Sequence, residues 1–148
     1  MPEYYSTSAA ETTLLGETFA KKYLNPGTVI AIFGDLGAGK TQFVKGIARA
    51  CGIDEHELTS PTYSLANEYQ CTFPNGEKTT LFHLDCYRFE KPEELLELGI
   101  EDYLHPMSGA TVVEWAERIE RYLPEKRINV RIEVKGESER LITIGSNY

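Results

Sequence analysis

Apolar and polar residues fall into blocks of two kinds along the chain, and the contrast between them predicts the elements. Residues 29–33, VIAIF, are an unbroken apolar run rich in β-branched side chains, which predicts a buried strand. Residues 42–51, QFVKGIARAC, carry apolar side chains at helical spacing and predict a helix shortly after it. Upstream, the polar stretch MPEYYSTSAAET leads into an amphipathic run over about 11–24. There Leu14, Leu15, Thr18, Phe19, Lys22 and Tyr23 fall near one helical face, and Ser8 with Glu11 makes a capping box at its start. Asn25, Pro26 and Gly27 end that helix and turn the chain into the strand.

Downstream the pattern turns to hairpins. Pro61 biases Ser60 away from the helical region, so SPTY at 60–63 is extended or a turn. Strand-like runs at about 63–72 and 79–85 flank a turn at Pro74, Asn75, Gly76 and Glu77, and predict a β-hairpin. Residues 91–98, KPEELLEL, make a short helix with Pro92 in its first turn and Gly99 as its cap; 100–104 continue as a further helical turn. A buried strand over 110–113 delivers Glu114 and Trp115 at its end, and a helix comes next over 115–122. Period-two alternation on each side of a glycine-containing turn then predicts a terminal hairpin, 128–134 with 141–144. One strand–loop–helix unit combined with two hairpins cannot give an all-parallel sheet. The expected fold is α/β, a mixed central β-sheet flanked by helices, in a single domain over residues 1–148 without repeats or low-complexity linkers.

The junction between the first apolar run and its helix carries the chemistry. Gly34, four residues, then Gly39, Lys40 and Thr41 match the phosphate-binding P-loop pattern in the setting it requires, which makes the fold that of a P-loop NTPase. Gly34, Gly37 and Gly39 allow backbone conformations closed to other residues, so that main-chain N–H groups turn in around a β-phosphate. The helix opening at Lys40 points its unpaired amides and positive dipole end at the same anion. Lys40 reaches the β- and γ-phosphates as a point charge, and the Thr41 hydroxyl takes one position on a magnesium ion. Two strands then end in an acid. Asp85 closes TTLFHLD, the place from which a P-loop protein directs an aspartate at magnesium, and Glu114 comes directly after the 110–113 strand. One acid on the metal and one orienting a nucleophile suit such a site, and spacing leaves the two roles open between them. Glu114 has the further alternative of capping the next helix. Thr62 and Ser60 either face the γ-phosphate or metal as a switch segment or satisfy local backbone alone. Arg88 is open to a phosphate, a partner surface or an ion pair with Glu90, and the ion pair is the simplest of the three.

Charge narrows the partners. With 15 Lys and Arg against 23 Asp and Glu the formal net charge is -8, so the surface repels polyanions and independent tight binding of nucleic acid is not expected. No apolar run approaches the roughly 18 residues of a membrane span, and the N-terminus lacks a basic region followed by an apolar one, so a cytoplasmic protein is expected. Cys51, Cys71 and Cys86 contain no CxxC pair, and His56, His83 and His105 show no ligand spacing; metal is expected only with the nucleotide.

GDLGAGKT at 34–41, SPTY at 60–63, HLDCYR at 83–88, ELGIEDYL at 97–104 and VVEWAERI at 112–119 resemble, in order and spacing, the bacterial TsaE (formerly YjeE) family over nearly the whole chain. The resemblance implies a small magnesium-dependent ATPase, weak alone, that works with partner proteins in making threonylcarbamoyladenosine at adenosine 37 of tRNA. By it, Leu36, Gly37, Ala38, Gly39, Lys40 and Thr41 hold the phosphates of ATP, and Thr41 and Glu114 are Mg2+ ligands. Asp85 serves hydrolysis at the metal, Thr62 lies in a switch-like segment, Trp115 stands beside the nucleotide, and residues 9–12 with Arg140 approach the adenine. It also implies TsaD and TsaB as partners, with the transfer step belonging to TsaD, ATP hydrolysis resetting the complex, and tRNA reached only through that complex. Gln42 stands where many relatives have a second threonine, which leaves Thr41 unaffected. Two other classes remain open on the residues: a P-loop small-molecule kinase, for whose lid this chain leaves little length, and a non-catalytic module whose docking face the nucleotide orders.

Overall fold

The computed structural model describes residues 2–35, 37–58, 66–87 and 91–146; Leu36, Ser60, Thr62, Arg88 and Glu90 lie outside the described residues. In chain order come β1 (Glu3–Ser6), α1 (Ala9–Tyr23), β2 (Val29–Phe33), α2 (Lys40–Ala50), β3 (Ala66–Thr72), β4 (Lys78–Asp85), α3 (Pro92–Glu97), α4 (Ile100–Leu104), β5 (Ala110–Glu114), β6 (Ile128–Val134) and β7 (Arg140–Ser146). Short 3-10 segments occupy Glu55–Glu57 and Ala116–Tyr122.

The strands form a seven-stranded sheet in the order β1-β7-β6-β2-β5-β4-β3. Strands β6, β2, β5 and β4 run parallel, while β1, β7 and β3 pair antiparallel, giving the mixed sheet that two hairpins around one strand–loop–helix unit require. Every residue of β2 and β5 is buried, as befits central strands covered on both faces. One face of the sheet meets α1 and α2 through Ile30, Ile32, Val112 and Val130. The other meets α3, α4 and the second 3-10 segment through Ala31, Phe33, Leu84 and Val113. Because β2, β4 and β5 are parallel, their C-terminal ends share one edge of the sheet, and the acids and the glycine loop at those ends converge there.

The N-terminal polar stretch departs from expectation by holding an edge strand. Strand β1 pairs with β7, Tyr4 opposite Ile142, through backbone groups that leave little mark on the side-chain pattern. Helix α1 begins at the expected cap, with the Ser8 hydroxyl accepting from the Glu11 N–H at 3.1 Å, but the Glu11 carboxylate turns to the N–H and hydroxyl of Thr7. Its buried stripe is Thr12, Thr13, Gly16, Phe19 and Ala20, and Leu14 of the expected face is exposed. Close helix approach sets this stripe. A Cβ on Gly46 would stand 1.9 Å from the Thr13 carbonyl oxygen, and one on Gly16 2.2 Å from that of Phe43, so α1 and α2 touch backbone to backbone and small residues fill the seam. Residues 116–122 are 3-10 rather than α-helical, since Trp115 takes φ 57° and Ile119 φ -130°; no side chain caps the segment, so Glu114 does not serve as its cap. Strand β7 is longer than the expected 141–144.

Candidate functional site

The P-loop bridges the end of β2 and the start of α2. Gly37 (φ 79°) and Gly39 (φ 102°) both occupy the left-handed region, where a side chain is strained, so glycine is what lets the chain turn here. Gly39 caps the 11-residue α2 without any side-chain hydrogen bond, which leaves the amides of the first turn uncontested by a capping side chain. Side chains from distant elements brace the loop. The Glu117 carboxylate accepts from the Gly34 N–H at 3.0 Å. The Arg140 guanidinium donates to the carbonyls of Ala38 at 2.9 Å and Gly37 at 3.1 Å, as well as to those of Gly136 and Glu139 in its own hairpin. Each peptide unit is planar, so a carbonyl drawn toward Arg140 directs the N–H of the same unit, Gly39 included, the opposite way.

Lys40 is 5% exposed. Its ammonium donates to the carbonyls of Gly34 and, at 2.9 Å, Asp35, and lies 3.7 Å from the centre of the Trp115 ring. Burial holds its pKa below the ordinary lysine value, against the pull of the Glu117, Glu114, Asp35 and Asp85 carboxylates. Trp115, the one tryptophan of the chain, is the non-glycine residue with positive φ among the described residues. Its ring packs on Tyr87 at 4.8 Å between centroids, with Arg118 nearby. Backbone strain in a bulky residue collects where function over-determines the structure.

Strands β4 and β5 are paired so that Asp85 stands opposite Glu114. Glu114 is 4% exposed; one oxygen accepts from the Thr41 hydroxyl at 3.2 Å and the other lies 2.5 Å from Nε2 of His83. Asp85 is half-buried and accepts from the Tyr87 N–H at 3.0 Å. The Thr41 and Glu114 oxygens are hard donors, and their 3.2 Å separation is near the ~2.9 Å edge of an octahedron with magnesium–oxygen bonds of about 2.0–2.1 Å, so this pair fits that ion. A cleft of about 410 Å³ runs from these groups past Lys40 and the loop to Ser8, Ala9 and Thr12 on one side and Arg140 on the other, within the size range of small-molecule sites.

The cleft thus brings together Gly37, Ala38, Gly39, Lys40, Thr41, Asp85, Glu114, Trp115 and Arg140. Leu36 and Thr62 lie outside the described residues. The sequence pattern alone passes over His83 and Glu117. Period two was a usable signal for the first, since His83 and Asp85 are two apart on a strand and share a face; nothing in the chain marks Glu117.

A buried parallel strand, a glycine loop, and a helix start carrying Lys40 and Thr41, within a mixed sheet flanked by helices, define the P-loop NTPase-type α/β class. A solved crystal structure of Bacillus subtilis YdiB superimposes with a TM-score of 0.76 at 33% sequence identity, covering 99% of this chain and 86% of that one. The chain belongs to the TsaE family, for the family model described as threonylcarbamoyl adenosine biosynthesis protein TsaE matches residues 6–142. Its relatives include proteins named tRNA threonylcarbamoyladenosine biosynthesis protein TsaE. That of Bacillus subtilis (strain 168) is 40% identical over 129 residues, 85% of this chain and 76% of its own length. That of Treponema pallidum (strain Nichols) is 37% identical over 139 residues, 94% of this chain and 96% of its own.

Proposed function

We propose that this protein is a magnesium-dependent ATPase serving the biosynthesis of threonylcarbamoyladenosine in tRNA, and that it acts with TsaD and TsaB. The observation that carries the reading is the joined set at the head of α2, where the Thr41 hydroxyl meets the buried Glu114 carboxylate at 3.2 Å beside the Lys40 ammonium. The loop residues Gly37 to Thr41, with Leu36 of the same motif, would hold the phosphates of ATP together with the Lys40 ammonium, and Ala9, Thr12 and Arg140 would receive its base. Thr41 and Glu114 would hold Mg2+, which would supply positive charge against the phosphates of the nucleotide. Asp85, the more open acid, orients the attacking water, and Thr62 would act in a switch segment that responds to the γ-phosphate.

The pathway comes from the names of the relatives. A net charge of -8 argues that tRNA is met through the partner complex and not gripped by this chain. No helix among the described residues is long and apolar enough to cross a membrane, and a cytoplasmic location suits a role in tRNA modification. Hydrolysis by the chain alone is slow, and it rises when the partners complete the site in trans.

Steady-state ATP hydrolysis with magnesium tests this, using the protein alone, the protein with purified TsaD and TsaB, and the K40A variant. The reading predicts stimulation by the pair and its loss in K40A. Equal rates with and without the partners contradict the partnership, and transfer of the γ-phosphate to a metabolite would make the protein a kinase instead.

A further inference from the structure

His83 is a buried polar side chain to which the ATPase reading gives no task. It sits on β4 two residues before Asp85, with 8% of its side chain exposed, and its Nε2 lies 2.5 Å from Oε2 of Glu114. Its other ring nitrogen, Nδ1, is buried with no hydrogen-bond partner among the described residues. A residue that only fills space has no reason to be histidine here, because an apolar ring of the same size leaves no buried nitrogen unsatisfied. Among the described residues the imidazole's hydrogen-bond partner is Glu114, whose second oxygen is the one beside the Thr41 hydroxyl. Strand register explains the reach. His83 pairs with Val112 and Asp85 with Glu114, so the imidazole crosses the diagonal between β4 and β5 on a shared face.

We propose that His83 is a positioning residue for the metal. Its Nε2–H donates to Glu114 Oε2, which fixes the carboxylate in one orientation and turns Oε1 toward Thr41, where magnesium is to be held. A carboxylate that accepts one hydrogen bond on its outer oxygen is pre-set before the ion arrives, and the ion then binds without having to order its ligand. This inference rests on the reading of Thr41 and Glu114 as the metal's ligands.

Trp115 supplies the readout, since its ring lies against Lys40 at the cleft and is the chain's single tryptophan. A non-hydrolysable ATP analogue is titrated into the parent protein, H83F and H83Q, first in EDTA and then over rising magnesium, with fluorescence reporting binding. Phenylalanine keeps the size of the ring without a donor; glutamine carries an amide N–H at about the reach of Nε2. H83F is expected to raise the magnesium concentration for half-maximal effect by about tenfold or more, the usual consequence of losing an outer partner of a metal ligand, while binding in EDTA changes by less than about twofold. H83Q is expected to recover most of the loss, which a merely space-filling role does not predict. An unchanged magnesium dependence in H83F overturns the proposal and leaves the metal site standing. A parent protein whose binding ignores magnesium overturns the proposal together with the metal site beneath it. If H83F does not fold, H83N, whose amide is too short to reach Glu114, replaces it with the same expected and the same overturning result.

Discussion

The ends of β4 and β5 lie side by side in one sheet and each finishes in an acid, yet the two carboxylates live in different surroundings. Glu114 is enclosed, with a hydroxyl on one oxygen and an imidazole near the other. Asp85, its partner in register, is half-buried and turns back to the N–H of Tyr87. The difference lies in what the neighbouring elements bring. Strand β5 sits between β2 and β4, so the helix after β2 carries Thr41 to its end and β4 carries His83 across to it. Residue type and strand-end position are shared; burial and neighbours separate an acid suited to holding an ion in one geometry from an acid with room to meet water.

Substitutions can break that contrast or sharpen it. E114Q removes the enclosed charge, and Mg2+-dependent hydrolysis is expected to fall by about 10³-fold, the scale of lost electrostatic stabilisation at a metal. D85N is expected to lower the hydrolytic rate by about 10²-fold, the lower end of what a positioned base contributes, with analogue binding unchanged. Equal losses of binding in the two variants would erase the distinction. R140A removes the charged donor from the Gly37 and Ala38 carbonyls and is expected to weaken nucleotide binding about tenfold by equilibrium titration. That factor should be the same in the parent, E114Q and D85N, because the arginine shapes the loop and neither acid.

The smallest effect concerns the residue after Asp85. Burial, then Asp85, Glu114 and Glu117, push the Cys86 thiol up to about 12. At about pH 8 Cys86 is therefore expected to stay unalkylated in the folded protein, while Cys71, whose thiol the Cys51 contact draws below the ordinary value, reacts first. Mass mapping of the modified peptides checks the order.

Much of this frame is legible in the chain. The glycine loop declares itself because a bound phosphate dictates the spacing of Gly34, Gly39, Lys40 and Thr41, and both acids are visible because each closes an apolar strand. The contrast between them is not, since it depends on β4–β5 register and on a hydroxyl meeting a carboxylate 73 positions away. His83 is marked only by standing two residues before Asp85 on one strand, and the brace from Arg140 to Ala38 joins residues 102 apart. Strand β1 escapes notice because backbone pairing at a sheet edge asks little of side chains. The stripe of α1 misleads at Leu14, which is exposed, because the close approach at Gly16 and Gly46 puts small residues in the seam.

The most direct measurement puts manganese(II) in place of magnesium and records the electron paramagnetic resonance of the ion bound with a non-hydrolysable ATP analogue in the parent, E114Q and D85N. A bound-ion spectrum kept in D85N and lost or altered in E114Q is the predicted result. The reverse, an unchanged spectrum in E114Q and a changed one in D85N, would contradict the assignment of the enclosed glutamate to the metal.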